Sequence, residues 1–219
     1  MDHHRRANER GPREGPAEDA ERGPHGAHGN PDDLDAYIAR LIGPERDAWQ
    51  RPDEVLAALG LEEGQTVADV GAGPGYFTVR LARAVGPRGK VYAVEVVPEL
   101  VGALREHLER AEVANVVPLL SRESDSLLPP DSCDRVLVVN TFHHFPDGVA
   151  YLRHLAASLR RGGILANVDF HRRETPVGPP VEHRVAREDF LAVADRAGLA
   201  VVEEKTFLPY QYLVLMRPR

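Results

Sequence analysis

Downstream of Thr66 the apolar positions fall into two alternating patterns. Short β-branched runs at residues 67–70, 91–94, 116–120, 135–139 and 164–168 read as five buried strands. Between and after them, residues 77–85, 100–111, 149–159 and 189–197 carry apolar side chains at helical spacing. Strands that alternate with helices call for a parallel sheet covered on both faces. Two last strands, 201–206 and 212–216, are separated by only residues 207–211, too few for a crossover helix, so they must run antiparallel. The predicted fold class is therefore α/β: a doubly wound, Rossmann-like, seven-stranded sheet, mostly parallel, with a C-terminal antiparallel hairpin. Ligands of such sheets bind at the carboxyl ends of the strands, where the strand order reverses.

Ahead of the sheet, Asp32 or Asp33 can cap a helix carrying Leu34, Ile38, Leu41 and Ile42 on one face, and a second helix over 52–59 stops at Gly60. Trp49, the single tryptophan, lies between them, either as a packing anchor or as a lid facing a ligand. Residues 1–30 contain no Leu, Ile, Val, Phe, Tyr or Trp and cannot bury enough apolar surface to offset ordering, so a disordered tail is expected. The predicted organisation is a tail over 1–30, a helical lid over 31–64 and a main domain over 65–219.

Composition narrows the function classes. The 219 residues hold 27 Lys and Arg against 34 Asp and Glu, a net charge of −7, which argues against a sequence-independent nucleic-acid binder but leaves room for an RNA substrate held by a small local patch. No nucleic acid is expected as a partner. Cys133 is the only cysteine, so no internal disulfide can form. No run approaches the roughly 18 apolar residues of a membrane span, and the first residues lack the apolar region of a secretory signal. A cytoplasmic location without membrane insertion is expected.

The most informative stretch is Val67-Ala68-Asp69-Val70-Gly71-Ala72-Gly73-Pro74-Gly75-Tyr76-Phe77, a buried strand that breaks into glycines and enters a helix. Glycines there let a ligand approach the main chain closely. The spacing is GxGxG, and Tyr76 stands where a dinucleotide site has its third glycine, which disfavours a pyrophosphate. No Lys-Ser or Lys-Thr follows, so a P-loop is excluded. Asp69 would repel a phosphate but can stabilise a cation. Glu95, at the end of the second strand, can accept both hydroxyls of a ribose. Together these describe a nucleoside with a positively charged, amino-acid-like appendage, and S-adenosylmethionine fits.

VADVGAGPGYF, VYAVEV, DRVLVVNTFHHF and LRRGGILANVDF resemble, in order, the motifs of the class I S-adenosylmethionine-dependent methyltransferases. RDAWQRPDEV, HHF, GPPVEHRV and FLPYQY resemble more narrowly a small bacterial branch close to the ubiquinone and menaquinone methyltransferases. The resemblance covers about residues 65–216 and makes 65–219 a methyltransferase domain. It implies that Gly71, Ala72, Gly73 and Gly75 line the methionine part of the cofactor, Asp69 organises its ammonium, Glu95 holds the ribose and Val96 lies beside the adenine. Arg122 occupies a place often acidic in the family, leaving Glu123 or Ser124 as the adenine contact. Asn140, ending the fourth strand, would face the methionine part.

A sulfonium methyl is already activated, so a catalytic base is optional. His143 and His144 after the fourth strand, Asp169 and His171 at the end of the fifth, and His183 beyond it all belong to the same sheet edge. His144, with His143 and Asp169, is the candidate base system, since imidazole titrates near neutrality. No metal is expected, because these side chains lack a recognised ligand spacing. Arg46, Trp49, His183 and Tyr210 are candidates for the wall of the acceptor pocket, and the proline-rich, charged link 172–180 reads as a loop over its mouth. The expected partner is a small-molecule methyl acceptor. Rival readings are a nicotinamide-dependent oxidoreductase and a non-catalytic protein that only binds the cofactor.

Overall fold

The computed structural model describes residues 33–219, so the tail expected over 1–30 lies outside the described residues. Strands β1 (Thr66–Val70), β2 (Lys90–Glu95), β3 (Val116–Leu120), β4 (Cys133–Val139), β5 (Leu159–Phe170), β6 (Leu199–Lys205) and β7 (Gln211–Pro218) form one sheet in the order β3-β2-β1-β4-β5-β7-β6. The first five run parallel, while β7 is antiparallel to both β5 and β6. The expected seven-stranded fold with its terminal hairpin is what forms. Strand order reverses between β1 and β4, and the carboxyl ends of these two strands flank the resulting crevice.

Two-residue periodicity divides the strand side chains between two cores. Ala68, Val70, Val136, Val138, Leu165 and Val214 pack on one face against Leu152 and Leu155 of α6 (Gly148–Ser158) and Phe190 of α7 (Arg187–Arg196). Val67, Val91, Leu137, Ala166 and Leu213 pack on the other against Val55 and Leu59 of α3 (Pro52–Leu59) and Phe77 and Leu81 of α4 (Tyr76–Val85). Ala93 and Val79 meet Leu104 and Leu108 of α5 (Pro98–Arg110), completing that layer. Burying each Leu or Phe contributes roughly 1.5–3 kcal/mol, which fixes both layers against the sheet.

The lid begins with α1 (Leu34–Ile42), where the Asp33 side chain accepts a hydrogen bond from the Ala36 amide at 2.9 Å, the expected cap. Pro44–Arg46 form a 3₁₀ turn leading into α2 (Asp47–Gln50). Trp49 therefore sits on a helical turn that the sequence pattern left unassigned. β5 is also longer than expected, because Leu159 pairs with Cys133 before the register shifts to Arg135 opposite Ile164. That irregularity absorbs Arg160-Arg161-Gly162-Gly163 into the strand instead of a loop.

Candidate active site

At the carboxyl edge of β1, β2, β4 and β5 a cavity of about 820 Å³ opens beneath α1 and α2. Its volume lies in the range of small-molecule sites. Its floor is the glycine loop between β1 and α4. Gly71, Gly73 and Gly75 all have positive φ, +75°, +54° and +96°. They serve different ends. A Cβ on Gly71 would overlap the Thr141 side chain, so this glycine lets the β1 and β4 ends approach. A Cβ on Gly75 would come within 2.6 Å of Leu104 Cδ1, so this glycine lets α4 pack on α5. Only Gly73 has open space beside it, its nearest neighbour in that direction being Leu41 Cδ1 at 3.8 Å.

Glu95 ties that loop to β2. One of its carboxylate oxygens accepts from the Gly73 amide at 2.8 Å, and the other accepts from the Val96 and Val97 amides at 2.8 and 3.0 Å. Asp69 is buried at the end of β1 on the α4 side and accepts from the Thr78 hydroxyl at 2.6 Å. Burial pushes its carboxyl up to about 6, opposed by the Thr78 hydrogen bond and by attraction to Arg46. Beyond β3, Ser121 and Glu123 line the cavity, and the Ser121 hydroxyl is buried without a hydrogen-bond partner.

The lid is clasped to the sheet by polar contacts. Gln50 donates to Gln211 at 2.7 Å, Gln211 donates to Asn140 at 2.6 Å, and Asn140 donates back to Gln50 at 3.5 Å. This closed ring of amides joins α2, β7 and the end of β4. Asn140 reaches it from a left-handed backbone, φ +53°, one residue past β4. Tyr76 fills the place of the third dinucleotide glycine and donates its hydroxyl to Asp47 at 2.5 Å. Arg46 and Arg80 lie 4.0 and 4.2 Å from the centre of its ring. Tyr76 thus keeps a bulky, fixed ring where a dinucleotide site needs its third glycine, which disfavours the nicotinamide reading.

The far end of the cavity, beyond β4 and β5, is largely aromatic: Trp49, Phe145, Tyr151 and Phe170. Trp49 packs on Phe170 at 5.5 Å and Phe145 stacks on Tyr151 at 3.9 Å. His143 and His144 lie here, their rings 4.1 Å apart. His143 Nδ1 is 3.2 Å from Asp169 Oδ2, and Asp169 is fully buried with its other oxygen bound by the Phe170 amide at 2.8 Å. Val177-Gly178-Pro179-Pro180 form the roof, as expected of the link over the mouth. Buried Arg184 holds that link by donating to the carbonyls of His171, Arg173, Val177 and Pro179 at 2.6–3.4 Å.

Of the residues singled out from the sequence, Arg46, Trp49, Asp69, Gly71, Ala72, Gly73, Glu95, Val96, Glu123, Asn140, His143 and His144 line this one cavity. Gly75, Ser124, Asp169, His183 and Tyr210 do not. Gly75 is turned to α5, Asp169 stands behind His143, His183 is exposed on a 3₁₀ turn, and the Tyr210 carbonyl accepts from the His171 amide. Sequence reasoning missed Tyr37, Ser121, Thr141, Phe145, Tyr151 and Phe170 as lining residues. Each sits on an apolar face or at a strand end where core packing explains it equally well. Among the described residues, no three His, Cys, Asp or Glu side chains are placed to hold a metal, and no helix is long and apolar enough to cross a membrane. Cys133 is buried at the start of β4, away from this edge.

A family profile described as a methyltransferase domain matches residues 67–163. The crystal structure of an S-adenosylmethionine-dependent methyltransferase from Aquifex aeolicus superposes with a TM-score of 0.79 at 31% identity, covering 83% of this chain and 96% of that one. A protein-L-isoaspartate O-methyltransferase of Methanothrix thermoacetophila is 38% identical over 105 residues, 48% of this chain and 47% of the relative. A demethylmenaquinone methyltransferase of Listeria monocytogenes is 25% identical over 128 residues, 58% of this chain and 53% of the relative. The chain thus spans about half the length of these curated relatives. It belongs to the S-adenosylmethionine-dependent methyltransferases.

Proposed function

We propose that this chain transfers a methyl group from S-adenosylmethionine to a small-molecule acceptor by direct displacement. The observation that carries the reading is one cavity bounded by a buried acid at the end of β1, an amide-bound acid at the end of β2 and, between them, Gly73 with open space where a Cβ would be. This donor set fits the cofactor. Gly71 and Gly73 would border the methionine part, Asp69 would take the ammonium, Glu95 the ribose hydroxyls, and Val96, Ser121 and Glu123 the adenine. Bound there, S-adenosylmethionine supplies a methyl group already activated by its sulfonium.

The protein's own work is then to orient a nucleophile, exclude water and receive a proton where the nucleophile carries one. Trp49 and Phe170 with the 177–180 roof exclude water at the far end. A carboxylate only accepts hydrogen bonds, so Asp169 fixes the His143 proton on Nδ1 and leaves Nε2 with the lone pair. His143 can therefore accept a proton at Nε2. A small acceptor is favoured because the lid borders the pocket on one side and the roof on the other, and its far walls are aromatic. The isoaspartate relatives, whose name points to a protein acceptor, align with about half of this chain.

The test is calorimetry of S-adenosylhomocysteine on the full chain, followed by transfer of labelled methyl to small phenols, thiols, amines and an isoaspartyl peptide. Binding with transfer to at least one small acceptor is expected. Absence of binding ends the reading, and transfer to the peptide alone ends the small-molecule part. E95A is expected to weaken binding at least about tenfold, since it removes a charged acceptor.

A further inference from the structure

Beside His143 the cavity offers a base but no arginine or lysine free to pair with an anion. Among the described residues no lysine lines the cavity, and its only arginines, Arg40 and Arg46, are on the lid. Arg46 comes within 5.9 Å of the centre of the Trp49 ring, yet its guanidinium is engaged elsewhere. It donates to the Leu41 carbonyl at 2.8 Å and to Gln50 Oε1 at 3.2 and 3.3 Å, packs on the Tyr76 ring at 4.0 Å, and is attracted to Asp69 and Asp47. Arg40 lies 5.2 Å from the centre of the Tyr37 ring, whose hydroxyl is raised by burial and then by the charge of Glu95, so this arginine belongs to the β2 side. Arg184 packs on the Phe170 ring at 4.9 Å but does not line the cavity, and its Nε, Nη1 and Nη2 are all committed to roof carbonyls.

The fixed charge at this end is negative. Asp169 is fully buried, with one oxygen 3.2 Å from His143 Nδ1 and the other on the Phe170 amide at 2.8 Å. A carboxylate brought up to His143 would face that acid with no arginine or lysine to pair with, and an unpaired charge taken from water is costly. It would also bring no proton. A base beside the reacting atom has work only when the nucleophile carries a hydrogen. The walls are flat and apolar: Trp49 and Phe170 lie 5.5 Å apart, and Gly178, at φ +103°, lets the roof lie directly on the Phe170 ring. Asn140, the polar group of this wall, has both amide atoms taken up in the ring with Gln50 and Gln211. Such surfaces suit a planar ring.

We infer that the acceptor is an uncharged planar ring carrying its nucleophile as O–H or N–H beside His143, and that carboxylates are rejected, the carboxyl group of an isoaspartyl peptide among them. This rests on the S-adenosylmethionine reading and adds to it the charge and shape of what is methylated. The acceptor's oxygen or nitrogen bonds to the methyl carbon as the carbon–sulfur bond breaks with its electron pair left on sulfur. The acceptor's proton passes to His143 Nε2. One positive charge is present before and after: the sulfonium becomes a neutral thioether, and the imidazole becomes an imidazolium that Asp169 stabilises.

The experiment is calorimetry on the full chain saturated with S-adenosylhomocysteine, at about pH 8, above the ordinary imidazole range. Three probes of one size are compared: 4-ethylphenol, 4-ethylbenzoate and 4-ethylcyclohexanol. The phenol is expected to bind at least about tenfold tighter than the benzoate and about 2- to 10-fold tighter than the saturated alcohol. With S-adenosylmethionine supplied instead, labelled methyl should pass to 4-ethylphenol or 4-ethylaniline and not to 4-ethylbenzoate. W49L should weaken the phenol by about 3- to 10-fold while S-adenosylhomocysteine changes by less than about threefold. Benzoate that binds as tightly as the phenol, or a methyl ester as product, overturns the inference. So does an alcohol equal to the phenol, a folded W49L chain that holds the phenol as tightly as the wild type, or a cofactor-loaded chain that takes none of the three probes. Should W49L not fold, the wild-type ranking decides alone. A wild-type chain that does not bind S-adenosylhomocysteine defeats the methyltransferase reading, whereas one that binds it and ranks the probes otherwise defeats this inference alone.

Discussion

His143 and Asp169 meet at 3.2 Å at the aromatic end of the cavity, the histidine on a 3₁₀ turn after β4 and the aspartate on β5. The parallel pairing of these strands brings Val139 opposite Val168 and so carries the two side chains together across 26 residues of chain. If His143 accepts the acceptor's proton, H143A should lower transfer to an O–H or N–H acceptor by about 100-fold or more. D169N should fall between that and wild type. S-adenosylhomocysteine affinity measured on the same samples should change little. Equal loss of binding and turnover would assign the pair to structure alone.

Gly71 and Gly73 share a left-handed backbone but differ in what lies beside them. G73A should cost about 1–2 kcal/mol, the strain of that backbone conformation for a residue with a Cβ. G71A adds a clash with Thr141 and should cost about 2–4 kcal/mol in total. Urea midpoints of the two variants distinguish them, with G71A the less stable. The order should invert for ligand affinity per unit of stability lost, since only the Gly73 side opens on the cavity.

Asp69 ties stability to pH. Its folded carboxyl, held near 6, lies above the ordinary aspartate value of 3.8. A folded-state value raised in this way contributes stability below about pH 4 that is lost as pH rises through 6. D69N abolishes that dependence, so it should stabilise the unliganded protein above pH 6, by about 1–3 kcal/mol at pH 8, with little effect at pH 4. The same variant should bind S-adenosylhomocysteine more weakly, and wild-type affinity should rise with pH through 6 as the carboxylate forms. Thermal unfolding from pH 4 to 8, with and without ligand, checks both signs.

Arg184 shapes the roof. Besides its four carbonyl contacts it lies 4.9 Å from the centre of the Phe170 ring, on which Trp49 packs. Gly178 closes the loop against the same ring, where an added Cβ would come within 2.6 Å. R184Q leaves several carbonyls without their donor and should destabilise the protein by about 1–3 kcal/mol. Because Trp49 is the only tryptophan, its emission reports on this roof, and R184Q should shift it to the red and raise its quenching by acrylamide. Unchanged emission would separate Trp49 from the roof.

The strand and helix pattern of residues 66–216 was legible because the central strands β1, β4 and β7 are buried on both faces and the helices that cover them on one, so periodicity and burial are the same signal. The glycine loop and Glu95 were legible for a related reason. Their chemistry is local to a strand end, and Glu95 acts on amides 1, 2 and 22 residues away. Arg46 was not. Its contacts with the Leu41 carbonyl, Gln50 and the Tyr76 ring depend on how the lid folds over α4, whereas the sequence shows only that the acids Glu45 and Asp47 adjoin it. Gly75 misled in the opposite direction, since a loop glycine has the same letter whether a ligand or the α5 side chain Leu104 needs the space.

By itself, then, the order of residues determined a doubly wound sheet, its reversal point and the acids flanking it, because these follow from periodicity and from backbone freedom at fixed positions. Only the tertiary structure decided that His143 meets Asp169 and that Gln50, Gln211 and Asn140 close into one ring. Such relations are set by which side chains burial brings together and which it keeps apart.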